Sequence, residues 1–93
     1  MPFQDHITKR ADPRGWEDIC RDILAYCSQE RKQTEIMYEC NLNSKNIKQY
    51  INLLVKIKLL DMTQISGNRY LYKTSERGIV FLGLYQQIQE LLP

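Results

Sequence analysis

Two short runs of β-favouring residues stand in a chain whose other patterns are helical, and they restrict the possible folds more than any other feature. The runs cover residues 60–65 and 69–74, and only Ser66, Gly67 and Asn68 separate them. Glycine and asparagine adopt the positive φ angles of a tight turn at little cost. The sequence therefore predicts one antiparallel β-hairpin with its tip at residues 66–69.

Three amphipathic helical patterns precede this hairpin, because apolar residues recur there every three or four positions. The patterns cover residues 15–29, 35–40 and 44–57. Thr34 is the predicted N-cap of the second helix and Ser44 that of the third. Asn41-Leu42-Asn43 separates these two helices, since asparagine tolerates turn and left-handed backbone. Two helices joined by so short a turn form a helix-turn-helix, and a hairpin directly after them is a wing.

A longer helix is predicted over residues 76–92, capped by Thr74 or Ser75. Its apolar positions are too numerous for one face packed on one small domain. Phe81, Leu84, Ile88 and Leu91 approximate the seam of a short coiled coil, so we expect a second copy of the chain to cover it. The predicted dimer contacts are Phe81, Leu84, Tyr85, Ile88, Leu91 and Leu92.

The whole chain is predicted to be mainly α-helical with a small β-hairpin. Residues 1–13 contain Pro2 and Pro13 and show no period, which indicates an N-terminal arm. Residues 14–75 form the winged helix-turn-helix domain, and residues 76–93 the dimerisation helix. A chain of 93 residues buries a modest fraction of its surface, which also favours an oligomer.

Positive charge is concentrated in the middle of the chain. The formal net charge is only +2, but residues 31–78 hold nine Lys or Arg against four Asp or Glu. A local excess of this kind favours a polyanionic partner. We therefore expect double-stranded DNA as the partner, with helix 44–57 in the major groove and the wing at 66–69 on the backbone or in the minor groove.

The candidate DNA contacts divide into two groups. Outward positions of the third helix supply candidate base contacts, because lysine donates to guanine or phosphate and Asn or Gln bridges an adenine edge. These are Lys45, Asn46, Lys48, Gln49 and Asn52. Candidate phosphate contacts are Arg31, Lys32, Tyr38, Ser44 and Arg69. The plain alternative is that each lysine is only a solvated residue of an exposed helix face.

Several of these segments together resemble a known family. The matching residues are Ile36-Met37-Tyr38, Asn41-Leu42-Asn43, Tyr50, Leu54, Leu59-Leu60 and the segment 74–78. They resemble archaeal winged-helix DNA-binding regulators related to the small Sulfolobus ten-kilodalton chromatin proteins, over residues 16–92. Lys58 stands where that family usually has glycine. The resemblance implies a homodimer that binds double-stranded DNA as a transcriptional regulator or chromatin protein, with the dimer held by antiparallel last helices.

Other function classes find little support. His6 is the single histidine, the acidic residues are scattered, and Cys20, Cys27 and Cys40 form no C-x-x-C pair, so we predict no enzyme, cofactor or metal site. No small-molecule substrate is evident. No run approaches the ~20 apolar residues of a membrane span, so we expect no membrane partner and a cytoplasmic, nucleoid-associated protein. The alternative function is a winged-helix protein-interaction or assembly module; RNA binding has less support without an aromatic stacking platform.

Overall fold

The computed structural model describes residues 13–93, which form four helices and one two-stranded antiparallel hairpin. The elements are α1 (Trp16–Tyr26), α2 (Gln33–Glu39), α3 (Ser44–Lys56), β1 (Leu60–Ser66), β2 (Arg69–Thr74) and α4 (Glu76–Leu91). The predicted fold class, mainly α-helical with a small hairpin, is confirmed. The predicted arm at 1–13 lies outside the described residues except for Pro13.

The N-cap of the second helix lies two residues before the predicted one. Lys32 is the N-cap of α2, and the Glu35 carboxylate accepts a hydrogen bond from its backbone N–H at 2.8 Å. Glu35 thus satisfies the N–H group of the cap residue and places negative charge at the positive end of the helix. The prediction of Thr34 as the cap is wrong, because Thr34 lies within the first turn.

The turn of the helix-turn-helix uses both of its asparagines. Asn41 has a φ of 57°, and the N–H of Leu42 donates to the carbonyl of Met37 at 2.9 Å, so the end of α2 closes with a left-handed cap. Asn43 then caps α3, since its Oδ1 accepts from the N–H of Asn46 at 2.8 Å. The predicted cap, Ser44, is instead the first residue of the helix.

One hydrophobic core joins α1, α2, α3 and the base of the hairpin. Its buried residues are Ile19, Cys20, Ile23, Leu24, Cys27, Ile36, Cys40, Ile47, Tyr50, Ile51, Leu54, Leu59, Leu60 and Tyr72. Burial raises the pKa of the Cys20 and Cys27 thiols to about 12, so both stay protonated at neutral pH. The cysteines therefore pack as small apolar side chains.

Hydrogen bonds fix the hairpin to the end of α1. The buried Thr74 donates from its N–H to the Cys27 carbonyl at 2.8 Å and from its hydroxyl to the Leu24 carbonyl at 2.6 Å. Arg31 and Tyr72 exchange two backbone hydrogen bonds, of 2.9 and 2.8 Å, along the outer edge of β2. The two bonds from Thr74 satisfy carbonyls that the end of α1 leaves open. The base of the wing is thus held, while residues 61–69 at its far end are exposed.

Lys58 occupies a backbone conformation that suits glycine. Its φ is 67°, and the N–H of Leu59 donates to the Leu54 carbonyl at 2.9 Å, which closes the end of α3 in the same way as α2. A left-handed residue with a Cβ costs about 1–2 kcal/mol. The turn forms here without the glycine that is usual at this position in the archaeal regulators that the sequence resembles.

Replacing Lys58 with glycine should therefore stabilise the protein. We expect Lys58→Gly to raise the free energy of unfolding by about 1 kcal/mol, because the relief of strain exceeds the entropy that glycine adds to the unfolded chain. Lys48→Gly, an exposed position within α3, is the matched control and should cost about 1 kcal/mol. Urea denaturation measures both, and a loss of stability for Lys58→Gly would contradict the strain.

Candidate nucleic-acid interface

The exposed side of α3 carries a row of cations and one amide. Lys45, Lys48, Asn52 and Lys56 are all exposed, and their spacing of three, four and four residues aligns them along one side of the helix. The opposite side is buried, so these side chains point away from the core. Lys56 is not among the predicted contacts, although the helical period of the sequence places it in this row.

Two predicted base contacts on α3 are half-buried instead. The Asn46 backbone belongs to the cap at Asn43. The Oε1 atom of Gln49 is buried and has no hydrogen-bond partner among residues 13–93. In this rotamer Gln49 cannot offer its acceptor to an adenine, which needs both an acceptor and a donor from the amide. The exposed candidates for base contacts are therefore Lys45, Lys48 and Asn52.

An open groove of about 350 Å³ brings the wing tip and the start of α2 together. Its walls are formed by Lys32, Gln33, Thr34, Ile65, Asn68, Arg69 and Tyr70. Lys32 and Arg69 are both exposed, so two cations from separate elements border one concave surface. This pairing is suited to a phosphate group, which accepts hydrogen bonds from either side chain.

The hairpin tip owes its shape to a bulge and a glycine. The strand register shifts between Gln64 and Ser66, so that Ser66 pairs with Arg69 across the turn. Gly67 has a φ of 47°, and its carbonyl accepts a hydrogen bond from Nε2 of Gln64 at 2.6 Å. The bulge increases the local twist, and the turn leaves Arg69 exposed at the end of the wing.

The remaining predicted phosphate contacts differ in how accessible their side chains are. Tyr38 is 79% exposed and Ser44 is exposed, so both are accessible. The Arg31 side chain is occupied within the fold, because its Nε donates to the Tyr26 carbonyl at 3.0 Å and its guanidinium lies 4.2 Å from the centre of the Tyr26 ring. Arg31 thus connects the end of α1 to β2, and its role as a phosphate contact stays a prediction.

A second exposed surface lies on α4. Val80, Leu84, Ile88 and Leu91 follow one another at helical spacing and are 55–84% exposed, and we call them the α4 apolar row. Leu92 beside them is also exposed. Phe81 and Tyr85, two predicted dimer contacts, are half-buried on the side of α4 that faces their own domain. Val80 therefore takes the place that the sequence pattern gave to Phe81 in the row.

Residues 13–93 hold neither a metal-ion cluster nor a membrane-spanning helix. In this part of the chain, no three or more His, Cys, Asp or Glu side chains are grouped to hold a metal ion. Within the same residues, no helix has the length and apolar character needed to cross a membrane.

Comparison with known proteins places this arrangement in a family. The sequence matches the winged helix-turn-helix family over residues 14–92. No curated protein matches the sequence. Among solved structures, the chain is similar to Sso10a-2, a DNA-binding protein from Sulfolobus solfataricus, with a TM-score of 0.75 and 24% identity over 84% of this chain and 81% of that chain.

Two bacterial regulators share the fold at lower identity. MepR, a transcription regulator of the Staphylococcus aureus multidrug efflux pump MepA, has a TM-score of 0.66 and 13% identity over 94% of this chain and 64% of that one. NMB1585, a MarR family regulator from Neisseria meningitidis, has a TM-score of 0.64 and 16% identity over 96% and 63%. The chain spans less than two thirds of these two proteins.

The similarity to a Sulfolobus protein agrees with the family resemblance seen in the sequence. The hairpin directly follows the helix-turn-helix, which is the position of a wing. Because the family match covers residues 14–92 and the elements follow the order of a winged helix, the chain belongs to the winged helix-turn-helix family.

Proposed function

We propose that this protein is a DNA-binding transcriptional regulator or chromatin protein, which inserts α3 into the major groove of double-stranded DNA. The observation that carries the proposal is the exposed row of Lys45, Lys48, Asn52 and Lys56 on the second helix of a helix-turn-helix. That helix enters the groove in such proteins, and a helix about 10–12 Å across fits a groove about 12 Å wide. Sso10a-2 is itself described as a DNA-binding protein, and MepR as a transcription regulator.

Within this proposal the exposed residues of α3 have separate tasks. Lys48 and Asn52 lie in the middle of the helix, where base edges are within reach of side chains. Lys45 lies in the first turn, and the N-terminal residues of such a helix also contact base edges. Ser44 at the start of the helix and Lys56 at its end lie beside the phosphates. Gln49 contributes to base reading only if its amide turns outward from the rotamer in the structure.

The groove between α2 and the wing supplies the flanking contacts. Lys32 and Arg69 approach one concave surface from two elements, so a single DNA strand that passes over it meets both cations. Tyr38 is exposed on α2 and adds a hydroxyl donor. These contacts fix the position of α3 in the groove and carry no sequence information themselves.

The α4 apolar row argues for a homodimer. It exposes four large apolar side chains in a line, and a coiled-coil seam between two copies removes such a row from water. We propose that residues 76–93 act as the dimerisation helix and residues 14–75 as the DNA-binding domain. A two-fold dimer of this kind reads two half-sites about one helical turn apart. We further propose that the protein is associated with the nucleoid in the cytoplasm.

Salt dependence of duplex binding is the first test. Each phosphate neutralised by a lysine or arginine should contribute about −0.9 to the slope of log affinity against log salt concentration. Arg69→Ala should weaken all duplexes alike and reduce this slope by about one unit. Arg77→Ala, which removes the same charge from α4, is the matched control and should leave the slope unchanged. Fluorescence anisotropy at several salt concentrations measures all three proteins.

Sequence preference is tested separately by selection from a random duplex pool. Lys48→Ala and Asn52→Ala should each change the preferred bases at one or two positions, at a cost of about 1–3 kcal/mol for the wild-type site. An unchanged preference in both variants would rule out α3 as the base-reading element. Absence of any duplex binding by the wild type would favour the alternative, a protein-interaction module that uses the same fold.

A further inference from the structure

Burial of α4 against its own domain ends at Tyr85. The half-buried or buried residues of α4 are Gly78, Phe81, Leu82 and Tyr85, and every residue from 86 to 93 is exposed. The start of the helix is fixed where Gly78 lies against the Leu59 carbonyl. Tyr85 lies seven residues later, or about 10 Å along the axis. These two positions together define the direction in which the free half of α4 leaves the domain.

Tyr85 is held there by α1. Its hydroxyl donates a hydrogen bond to Oδ1 of Asp18, and the Arg21 guanidinium lies 5.9 Å from the centre of its ring. The hydrogen bond to the Asp18 carboxylate raises the pKa of the Tyr85 hydroxyl, which therefore keeps its proton and remains a donor. The Phe81 ring stacks against Tyr85 on α4, with 6.3 Å between ring centres.

The Asp18 carboxylate is itself fixed by the fold. Its Oδ2 accepts the N–H of Gly15 at 3.1 Å, at the start of α1. The two oxygens of one carboxylate thus connect the first turn of α1 to the middle of α4. A hydrogen bond to a charged acceptor is stronger than one between neutral groups.

Beside this hydrogen bond the packing of the two helices is open. A cleft of about 400 Å³ lies between parts of α1 and α4, lined by Arg21, Ala25, Leu82, Tyr85, Gln86 and Gln89. A cleft of this size leaves α4 room to tilt towards α1. Within residues 13–93, the Tyr85–Asp18 hydrogen bond is a polar contact between the two helices that limits such a tilt.

We propose that Tyr85 and Asp18 form a positioning pair that sets the separation of the two DNA-reading surfaces in the dimer, and with it the half-site spacing that the protein prefers. The inference rests on the proposed function, because it needs a dimer joined through α4. A change in the direction of α4 turns each domain relative to the dimer axis. The two copies of α3 then move apart or together, while the α4 apolar row and the contacts of α3 stay as they were.

The test compares Tyr85→Phe with the wild type. This substitution removes the hydroxyl and keeps the ring between Phe81 and Arg21. Tyr26→Phe is the matched control, since it removes the same group from a half-buried tyrosine of α1 whose ring packs on Arg31. Asp18→Asn is a second variant, because one amide oxygen cannot replace both carboxylate oxygens. It should act in the same direction as Tyr85→Phe.

Two readouts separate a positioning role from a structural one. The first is affinity for duplexes that carry two half-sites with the spacing varied in single base pairs over about one helical turn. The second, which needs no DNA, is the distance distribution between spin labels at Asn68→Cys on the two wing tips of the dimer. The native cysteines should not interfere, because they are buried and burial raises the pKa of Cys40 to about 11 and of the other two to about 12.

We expect Tyr85→Phe to broaden the label distances and to reduce the ratio between best and worst spacing by about threefold or more, with affinity for a single half-site unchanged. Distances and spacing ratio equal to the wild type would overturn the inference and leave the proposed function intact. If Tyr85→Phe broadens the label distances but the protein binds no duplex, the positioning role of the pair is supported and the DNA-binding proposal is refuted. A protein that forms no dimer would refute the inference and the proposed dimer, while its binding to a single half-site would still test the insertion of α3 into the groove.

Discussion

Leu84→Glu combined with Ile88→Glu is expected to convert the proposed dimer into a monomer and to lower the affinity for a duplex with two half-sites by about 100-fold or more. Both residues lie in the α4 apolar row and are 55% exposed in a single chain. Two carboxylates per helix place four negative charges in the proposed seam, where like charges are costly to desolvate. Loss of the dimer removes the gain from simultaneous binding of both half-sites. Sedimentation equilibrium measures the mass and anisotropy the affinity.

The matched control places the same charges elsewhere on α4. Ile79→Glu with Gln86→Glu changes two exposed positions away from the row, and it should leave both the mass and the duplex affinity near the wild-type values. Because Leu84 and Ile88 are exposed within one chain, their substitution should not unfold the domain. An unchanged mass for the Leu84 and Ile88 variant would show that another surface forms the dimer, or that none does.

Gly78→Ala should destabilise the fold by about 3 kcal/mol, which is the second large effect. A Cβ built at Gly78 meets the Leu59 carbonyl oxygen at 2.3 Å and Cγ2 of Thr74 at 2.6 Å. The backbone of Leu59 cannot move away freely, since its carbonyl also accepts the N–H of Ser75 at 3.0 Å. The start of α4 must therefore shift away from the hairpin, and the capping bond from Gly78 N–H to the Ser75 hydroxyl is strained with it.

Gly83 offers a control on the same helix. A Cβ built there has no described atom within 4 Å, so Gly83→Ala should stabilise α4 by about 1 kcal/mol through helix propensity alone. Urea denaturation of both variants measures the difference in stability, which should be about 4 kcal/mol. Equal stabilities would mean that α4 does not lie as closely on Leu59 as the structure places it.

Local patterns predicted the elements well, because each depends on residues close in sequence. The turn at residues 66–68 and the flanking β-favouring runs gave the hairpin, and Asn41 gave the left-handed end of α2. The predicted N-caps were less accurate. Asn43 competes with Ser44, and Lys32 with Thr34, and in each case one local hydrogen bond decides which residue caps the helix. Residues 1–12 lie outside the described part of the chain, so the interpretation of an arm remains a prediction.

The candidate interface was predicted in part. The period of a single helix was enough to place Lys45, Lys48 and Asn52 outward. It was not enough for Gln49, whose buried oxygen depends on how its side chain packs against the rest of the fold. Nor did the sequence indicate that Arg31 is held by Tyr26, because that contact follows from the turn after α1.

By itself, then, the sequence determined the order of elements, the wing and the basic outward side of α3, since spacing along one helix or one hairpin decides each of these. Only the tertiary structure decided which side of α4 is free. That helix is apolar around most of its circumference, so periodicity cannot separate residues that pack on their own domain from those left for a partner. The close approach at Gly78 and the hydrogen bond from Tyr85 to Asp18 fix its rotation, and both join residues far apart in the sequence.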